Sequence, residues 1–194
     1  GILDSFRRAA EKMPSVDAIG VSSAGIYIDN EVRVASLFIK VPQDKFDEKV
    51  VDMYIRAAKE YGDVPLTVAN DGDVTALAGS MSLKSGQVLG IAMGTSEAAG
   101  YVNKDGNLNG WLSELAFVPV DYNKGAMVDE WSGDYGCGVK YFSQDGVIKL
   151  AGFAGIELDE NASPAEKLKV VQGLMKEHDP RAKEIYENIG TYLG

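Results

Sequence analysis

Apolar residues recur at helical spacing in five segments of the chain, which are separated by glycine, proline and Asx residues. The clearest boundaries are Gly62 after the apolar face of 45–61, the capping box Ser163-Pro164-Ala165-Glu166, and Asp179-Pro180 before the last segment. The pattern therefore predicts helices at 6–13, 45–61, 74–81, 164–177 and 180–192.

Short runs of apolar and small residues between these helices are typical of strands. The turn pair Asp29-Asn30 and the turn cluster at 103–107 each predict a hairpin. Between 121 and 155 no period persists, so we expect loops with short strands or helical turns there. Strands are predicted at 18–23, 25–28, 32–34, 64–69, 88–93 and 98–102.

The formal net charge is -10 over 194 residues, with acidic residues spread along the chain. Nucleic acids and anionic membrane surfaces demand a basic face, so small molecules or proteins are the expected partners. The single cysteine, Cys137, leaves no internal disulfide, and no run reaches the roughly 18 apolar residues of a membrane span, so a cytoplasmic protein is expected. The chain begins without Met in a helical pattern, which indicates a fragment or a processed chain.

The densest chemical signal lies where the predicted strand 64–69 meets a helix. Asn70, Asp71 and Asp73 follow the strand directly. Ligands of α/β sheets bind at the carboxyl ends of strands, and helix N-termini there favour anions, so these residues are candidates for a site. Asx residues also commonly cap helices, and both interpretations remain open at this point.

The segment 68–77 resembles the Asn-Asp-Ala-Asn-Ala-Ala-Ala-Leu stretch of the ROK family of sugar kinases and sugar-responsive repressors, with matches at Asn70, Asp71, Ala76 and Leu77. Further segments resemble family motifs in the same order along nearly the whole chain. They are Ile19-Gly20-Val21, Met93-Gly94-Thr95, Ser113-Glu114-Leu115-Ala116-Phe117-Val118-Pro119-Val120-Asp121, and Asp179-Pro180-Arg181-Ala182.

The resemblance implies an α/β fold of the ribonuclease H-like or actin-like ATPase type, with mixed sheets flanked by helices in two lobes. Residues 1–84 would be the remainder of the N-terminal lobe and residues 85–194 the C-terminal lobe. A cleft between the lobes is expected, with Asp71 at its floor and Glu114 on the opposing wall. A homodimer would suit the family.

The resemblance also implies roles for particular residues in a glucokinase-like or hexokinase-like reaction. Asp71 would be the general base that takes a proton from a sugar hydroxyl, and Asn70 and Glu114 would bind sugar hydroxyls. An intact parent protein would use ATP and Mg²⁺. The phosphate oxygens would be met by Gly94, Thr95 and Ser96.

Several residues depart from the family pattern. Phe117 stands where the family has His, and Cys137 is what remains of a cysteine-rich zinc loop, so no structural zinc is expected. Lys149 replaces an expected sugar-binding Glu, and Glu97 adds a negative charge beside the phosphate turn. The family's N-terminal phosphate motif and adenine segment are also absent. This chain alone is therefore expected to be inactive, and a non-catalytic sugar-sensing domain is the main alternative.

A second alternative is a phosphatase of the haloacid dehalogenase type. Asp71-Gly72-Asp73-Val74-Thr75 after an apolar strand fits the Asp-x-Asp-x-Thr motif of those enzymes. Asp71 would then attack phosphorus, Asp73 would act as acid and base, and Mg²⁺ would neutralise charge. The later acidic pair of that class is not evident downstream.

Overall fold

A computed structural model describes residues 1–194, in which the chain forms two compact units. The first unit contains residues 1–90 and 100–112, and the second contains residues 91–99 and 113–194. The strand pair between residues 88 and 102 thus contributes to both units. The lobe boundary after residue 84 stays a prediction.

The first unit begins with four helices and four strands. In chain order they are α1 (Ile2–Ala10), β1 (Ile19–Ser23), β2 (Ile26–Ile28), β3 (Glu31–Val34), α2 (Gln43–Lys49), α3 (Met53–Ala58), β4 (Leu66–Asn70) and α4 (Asp71–Leu83). The predicted strands are confirmed, and β2 and β3 pair antiparallel as expected. Asp29 and Asn30 turn the chain between them with positive φ values of 54° and 66°, the conformation that favours Asx residues in tight hairpins.

Strands β1 and β4 are parallel neighbours, in register from Ile19 opposite Leu66 to Ser23 opposite Asn70. Their apolar side chains join a core with helices α1, α2 and α3. The buried members of that core are Val32, Ala35, Val50, Tyr54 and Val68.

The single helix predicted at 45–61 is wrong, because the chain breaks it into α2 and α3. The N–H of Val32 on β3 donates to the carbonyl oxygen of Val51 at 2.8 Å. The N–H of Val51 bonds to Phe46 at 3.2 Å, five residues back instead of four. Pairing with β3 therefore takes the carbonyl group that a continuous helix would have used.

Helix α4 lies directly against the backbone of the strand pair β5 (Val88–Met93) and β6 (Glu97–Val102). Two glycines make this approach possible. A Cβ atom on Gly90 would come within 2.6 Å of the Ala76 nitrogen, and one on Gly100 within 2.5 Å of the Gly72 carbonyl oxygen. Any side chain at either position would push the helix away from the strands.

The second unit contains three further helices, α5 (Gln144–Phe153), α6 (Pro164–Lys176) and α7 (Pro180–Leu193). Helices α6 and α7 confirm the prediction, and α6 carries the expected capping box of Ser163 and Glu166. These helices enclose one apolar core. Its buried members are Phe142, Val147, Ala151, Ile156, Val171, Ala182, Ile185 and Ile189.

The loop expectation for 121–155 is wrong at its end, where α5 forms. Gly146 and Gly152 lower the helix propensity of this segment and interrupt the helical spacing of its apolar residues. The helix forms because Val147 and Ala151, four residues apart, are both buried in the core of the second unit. None of the helices has the length and apolar character that crossing a bilayer requires.

Candidate functional site

The strongest candidate site in the first unit lies at the carboxyl ends of β1 and β4. Ser23 and Asn70, the last residues of these strands, are direct partners across the parallel pair. Parallel strands bring their carboxyl ends to one edge, where α/β proteins commonly bind ligands. The next residue along the chain is Asp71.

Asn70 is the N-cap of α4, so the capping interpretation of this residue is confirmed. Its side-chain oxygen accepts a hydrogen bond from the Gly72 N–H at 2.8 Å, and its amide nitrogen donates to the Gly25 carbonyl oxygen at 2.8 Å. The side chain therefore fixes the strand end to the start of α4 and to the turn before β2. The sugar-binding role of Asn70 stays a prediction.

Asp71 differs from Asn70 because no hydrogen bond or ion pair within the chain occupies its carboxylate. It is the first residue of α4, is half-buried, and uses only its backbone carbonyl, which accepts from the Thr75 hydroxyl at 2.9 Å. The N-terminus of a helix stabilises a negative charge at this position. Asp71 thus places a carboxyl acceptor at a strand end, where it is open to a ligand.

Hydroxyl groups lie around the same edge. The Tyr54 hydroxyl donates to the Ser23 hydroxyl at 3.2 Å, and the Tyr27 hydroxyl donates to the Ala24 carbonyl oxygen at 2.9 Å. Burial is the main cause that raises the pKa of Tyr27 to about 12, and the negative charge of Asp71 adds to it. A phenol with a raised pKa, that of Tyr27, therefore lies near the Asp71 carboxylate.

Asp73 does not join Asp71. Both residues lie within α4, and residues two apart on a helix point to nearly opposite sides. Asp73 is half-buried, and burial raises the pKa of its carboxyl group. The two carboxylates that the phosphatase alternative needs on one phosphorus atom are therefore not brought together.

The predicted phosphate turn, Gly94 to Ser96, connects β5 to β6 in the second unit and is exposed. The N–H of Gly94 already donates to the Ser96 carbonyl oxygen at 3.0 Å, and the Gly94 carbonyl oxygen accepts from Gln144 at 2.9 Å. The hydroxyl groups of Thr95 and Ser96 bond to nothing within the chain. The turn can therefore present these two hydroxyls to an anion, whereas the Gly94 N–H is not available.

Glu97, expected as a charge beside the turn, is instead the first residue of β6 and is only 5% exposed. Both of its carboxyl oxygens are buried without a hydrogen-bond partner. Burial raises the pKa of this carboxyl group to about 7. Around neutral pH the group is therefore only partly ionised, and sequence reasoning could not foresee this because an exposed turn precedes it.

Glu114 immediately precedes a 3-10 turn, Leu115–Phe117, in the second unit. The Phe117 N–H closes this turn by donating to the Glu114 carbonyl oxygen at 3.3 Å. Phe117 packs on Trp131 with ring centroids 5.4 Å apart, and the two side chains stay 36% and 52% exposed. Glu114 and the partly exposed aromatic pair Phe117–Trp131 thus belong to the same unit.

The segment between Asp121 and Tyr141 is held by hydrogen bonds. The Tyr141 hydroxyl donates to the Asp121 carboxylate at 2.6 Å and accepts from the Met127 N–H at 3.0 Å. Cys137 is buried, and no group of three or more His, Cys, Asp or Glu side chains is placed to hold a metal ion. The residues present therefore do not provide the ligands of a zinc site.

Lys149 lies on α5, at the edge of a surface cleft of about 470 Å³ in the second unit. Apolar side chains such as Met127 and Ile148 line part of this cleft. The neighbouring Lys140 is bound by Asp145 at 2.6 Å and by a second carboxylate, whereas Lys149 has no ion-pair partner. An ammonium group at this position cannot accept a hydrogen bond from a sugar hydroxyl as the expected Glu would.

No protein-family model matches the sequence, and neither does any curated protein. The structure, in contrast, is similar to solved ROK proteins. A ROK family glucokinase from Streptomyces griseus, in complex with glucose and AMPPNP, gives a TM-score of 0.67 at 18% identity, over 99% of this chain and 64% of that one.

Two further solved structures show the same likeness. A ROK family transcriptional regulator, described as a homologue of the E. coli MLC protein, gives a TM-score of 0.64 at 18% identity, over 99% of this chain and 48% of the regulator. A ROK hexokinase from Thermus thermophilus gives 0.58 at 16% identity, over 98% of this chain and 62% of the hexokinase.

This chain spans between about half and two thirds of the length of these neighbours. Their similarity extends over nearly all of its own residues, and it confirms the resemblance seen in the motif order. At such low identities the likeness concerns the fold. The chain has the actin-like ATPase fold of the ROK sugar kinases, which is shared by sugar kinases and by a transcriptional regulator.

Proposed function

We propose that this chain binds a hexose or an amino sugar and that, in the whole protein, Asp71 is the general base of an ATP-dependent sugar kinase. The observation that carries the proposal is the Asp71 carboxylate. It lies at the carboxyl end of a parallel strand pair and has no hydrogen-bond partner in the chain, while its neighbour Asn70 is fully engaged as a cap.

The chemistry requires an acceptor for the proton of the attacking sugar hydroxyl. A carboxylate within hydrogen-bond reach of that hydroxyl removes the proton as the new oxygen–phosphorus bond forms. Such a base typically contributes about 10² to 10⁴ in rate. Asp71 also lies in the first turn of α4, the end of a helix that favours negative charge.

The second unit, considered by itself, also carries groups that suit a sugar or a phosphate. Glu114 would accept hydrogen bonds from sugar hydroxyls, and the Phe117–Trp131 pair would pack on the apolar face of a sugar ring. Thr95 and Ser96 would donate their free hydroxyls to phosphate oxygens. ATP with Mg²⁺ would supply the transferred phosphoryl group. We expect such a protein to work in the cytoplasm.

The test is sugar-dependent phosphoryl transfer by the full-length protein with ATP and Mg²⁺, over a panel of hexoses and amino sugars. The Asp71→Ala variant is compared with Asp63→Ala, which removes an exposed carboxylate of the same unit. We expect transfer by the wild type and the control, and a rate about 10² to 10⁴ lower for Asp71→Ala. Equal rates for both variants would contradict the assignment of the base.

A second candidate function is a sugar-responsive domain without catalysis. It is favoured by the Gly94 N–H, which bonds to Ser96 and is thereby withdrawn from phosphate binding. One of the solved structures with this fold is also a transcriptional regulator. Sugar binding by the full-length protein, without phosphoryl transfer to any sugar of the panel, would favour this function over the kinase.

A further inference from the structure

Glu97 is a buried carboxyl group that the proposed function does not use. Its side chain is 5% exposed, and neither oxygen has a hydrogen-bond partner. An ionised carboxylate in such a position would lose its hydration without any compensation, at a cost of several kcal/mol. A buried group of this kind requires a physical explanation.

The surroundings of Glu97 consist of acceptors and apolar groups. Its Oε2 atom lies 2.6 Å from the point that a Cβ atom on Gly138 would occupy, and the Leu115 carbonyl oxygen lies 2.8 Å from the same point. The ring of Phe142 lies 3.3 Å from it. Two oxygen atoms thus face one small space that a side chain at Gly138 would fill. Two acceptors repel each other unless one of them carries a hydrogen.

No cation balances a charge on Glu97. Along the strand pair, its neighbours at the turn are uncharged. On the segments packed near it, the charged residues are Glu114 before the first 3-10 turn, Lys140 at the end of the second, and Asp145 and Lys149 on α5, and the charge of Lys149 acts on the Asp121 carboxyl group. Lys140 is already bound by Asp145 and Glu130, and burial is the only cause of the raised pKa of Glu97.

Glu97 also stands where three segments of the second unit meet. It directly follows the Gly94–Ser96 turn, and its carboxyl group lies beside Leu115, the residue after Glu114. Ser143, whose hydroxyl is likewise buried and without a partner, precedes Gln144, which binds the Gly94 carbonyl oxygen. A change at Glu97 can therefore reach both the turn 94–96 and the turn 115–117.

We propose that Glu97 is a proton-dependent positioning residue. In the folded chain it is protonated and donates a hydrogen bond to the Leu115 carbonyl oxygen, which ties the turn 94–96 to the turn that follows Glu114. When Glu97 loses its proton to solvent, two acceptors face each other, and the 115–117 turn separates from β6. The device makes the order of both turns depend on pH near neutrality.

Carbon-13 NMR of the glutamate carboxyl carbons tests the protonation directly. One carboxyl signal is expected to titrate with a midpoint near pH 7, far above the ordinary value of 4.5. The signal should be missing in Glu97→Gln. If every glutamate signal titrates within the ordinary range, the proposal is wrong. This measurement needs only the wild-type protein.

Hydrogen–deuterium exchange tests the positioning. Residues 113–118 of the wild type and of Glu97→Gln are compared at pH 6 and at pH 8.5, with α6 as an internal control. Gln keeps the shape and the donor of a protonated Glu, so equal protection is expected at pH 6. At pH 8.5 the wild type should exchange about tenfold faster than the Gln variant in this segment only.

Equal protection of the two proteins at both pH values would overturn the positioning role. So would a loss of protection in Glu97→Gln already at pH 6. Neither experiment uses a sugar or a nucleotide, so a failure here leaves the proposed function standing.

Discussion

Ser23 and Asn70 are direct partners at the last position of the parallel strands β1 and β4. This pairing places the start of α4, and with it Asp71, at a shared strand edge. Asn70 serves the structure and Asp71 has no structural partner. Substitutions of these two adjacent residues should therefore act differently, on stability at Asn70 and on sugar binding at Asp71.

Replacing Asn70 with Ala should destabilise the chain. The variant loses the cap of α4 and the hydrogen bond to the Gly25 carbonyl oxygen together. We expect the free energy of unfolding to fall by about 1–3 kcal/mol, measured by urea denaturation. Asn161→Ala is the control because its exposed amide makes one weak hydrogen bond at 3.4 Å. Equal losses in the two variants would contradict the capping role.

The stability of the wild type should depend on pH through Glu97. The pKa of this group is about 7 in the folded chain and returns to its ordinary value of 4.5 on unfolding. Between these values the folded chain binds more protons than the unfolded chain, so stability falls as pH rises. The contribution is complete below pH 4.5, is lost as pH rises through 7, and amounts to about 3 kcal/mol in total.

Urea denaturation of the wild type and of Glu97→Gln over pH 5 to 8.5 measures this dependence, because the Gln variant cannot ionise there. The wild type should weaken relative to the variant as the pH increases. A constant difference between the two proteins over this range would show that Glu97 is not the titrating group.

The aromatic pair should report on sugar binding. The chain has two tryptophans, so a Trp111→Phe variant leaves Trp131 as the single tryptophan, which can be excited selectively. A sugar that packs on the Phe117–Trp131 pair should change its emission. In that background Phe117→Ala should weaken sugar affinity about three- to tenfold, since the stacking surface is lost.

Tyr122→Ala is the matched control for Phe117→Ala. Tyr122 is aromatic and belongs to the same loop region, but it is 85% exposed and packs on no other ring. An equal effect of both substitutions on affinity would argue against the aromatic pair as a contact surface.

The sequence predicts the fold well where each local signal agrees with the packing. The strands, the hairpin at Asp29 and the helices after Ser163 and Asp179 all form as expected. The helix predicted at 45–61 fails because the Val51 carbonyl bonds to β3, a distant partner that no local period reveals. The sequence does not predict helix α5, because its glycines lower the helix propensity of a segment that tertiary packing makes helical.

The same distinction between local signals and tertiary contacts applies to the candidate site. A strand–helix junction with Asx residues indicates Asp71, since position along the chain decides which residue stands at the strand end. The Gly25 carbonyl group, 45 residues away along the chain, binds the Asn70 side chain. Asn70 therefore becomes the cap, and Asp71 stays open to a ligand. The burial of Glu97 depends on Gly138 and Leu115, and no pattern around residue 97 shows that contact.

The most direct test of the central claim is calorimetric titration of this chain with a panel of hexoses and amino sugars, at pH 6, where Glu97 stays protonated. The wild type and Asp63→Asn should bind the same sugar with equal affinity. Asp71→Asn should bind it at least about tenfold more weakly, because a charge-assisted hydrogen bond is lost. Equal affinity for Asp71→Asn, or no binding of any sugar by the wild type, would contradict the account.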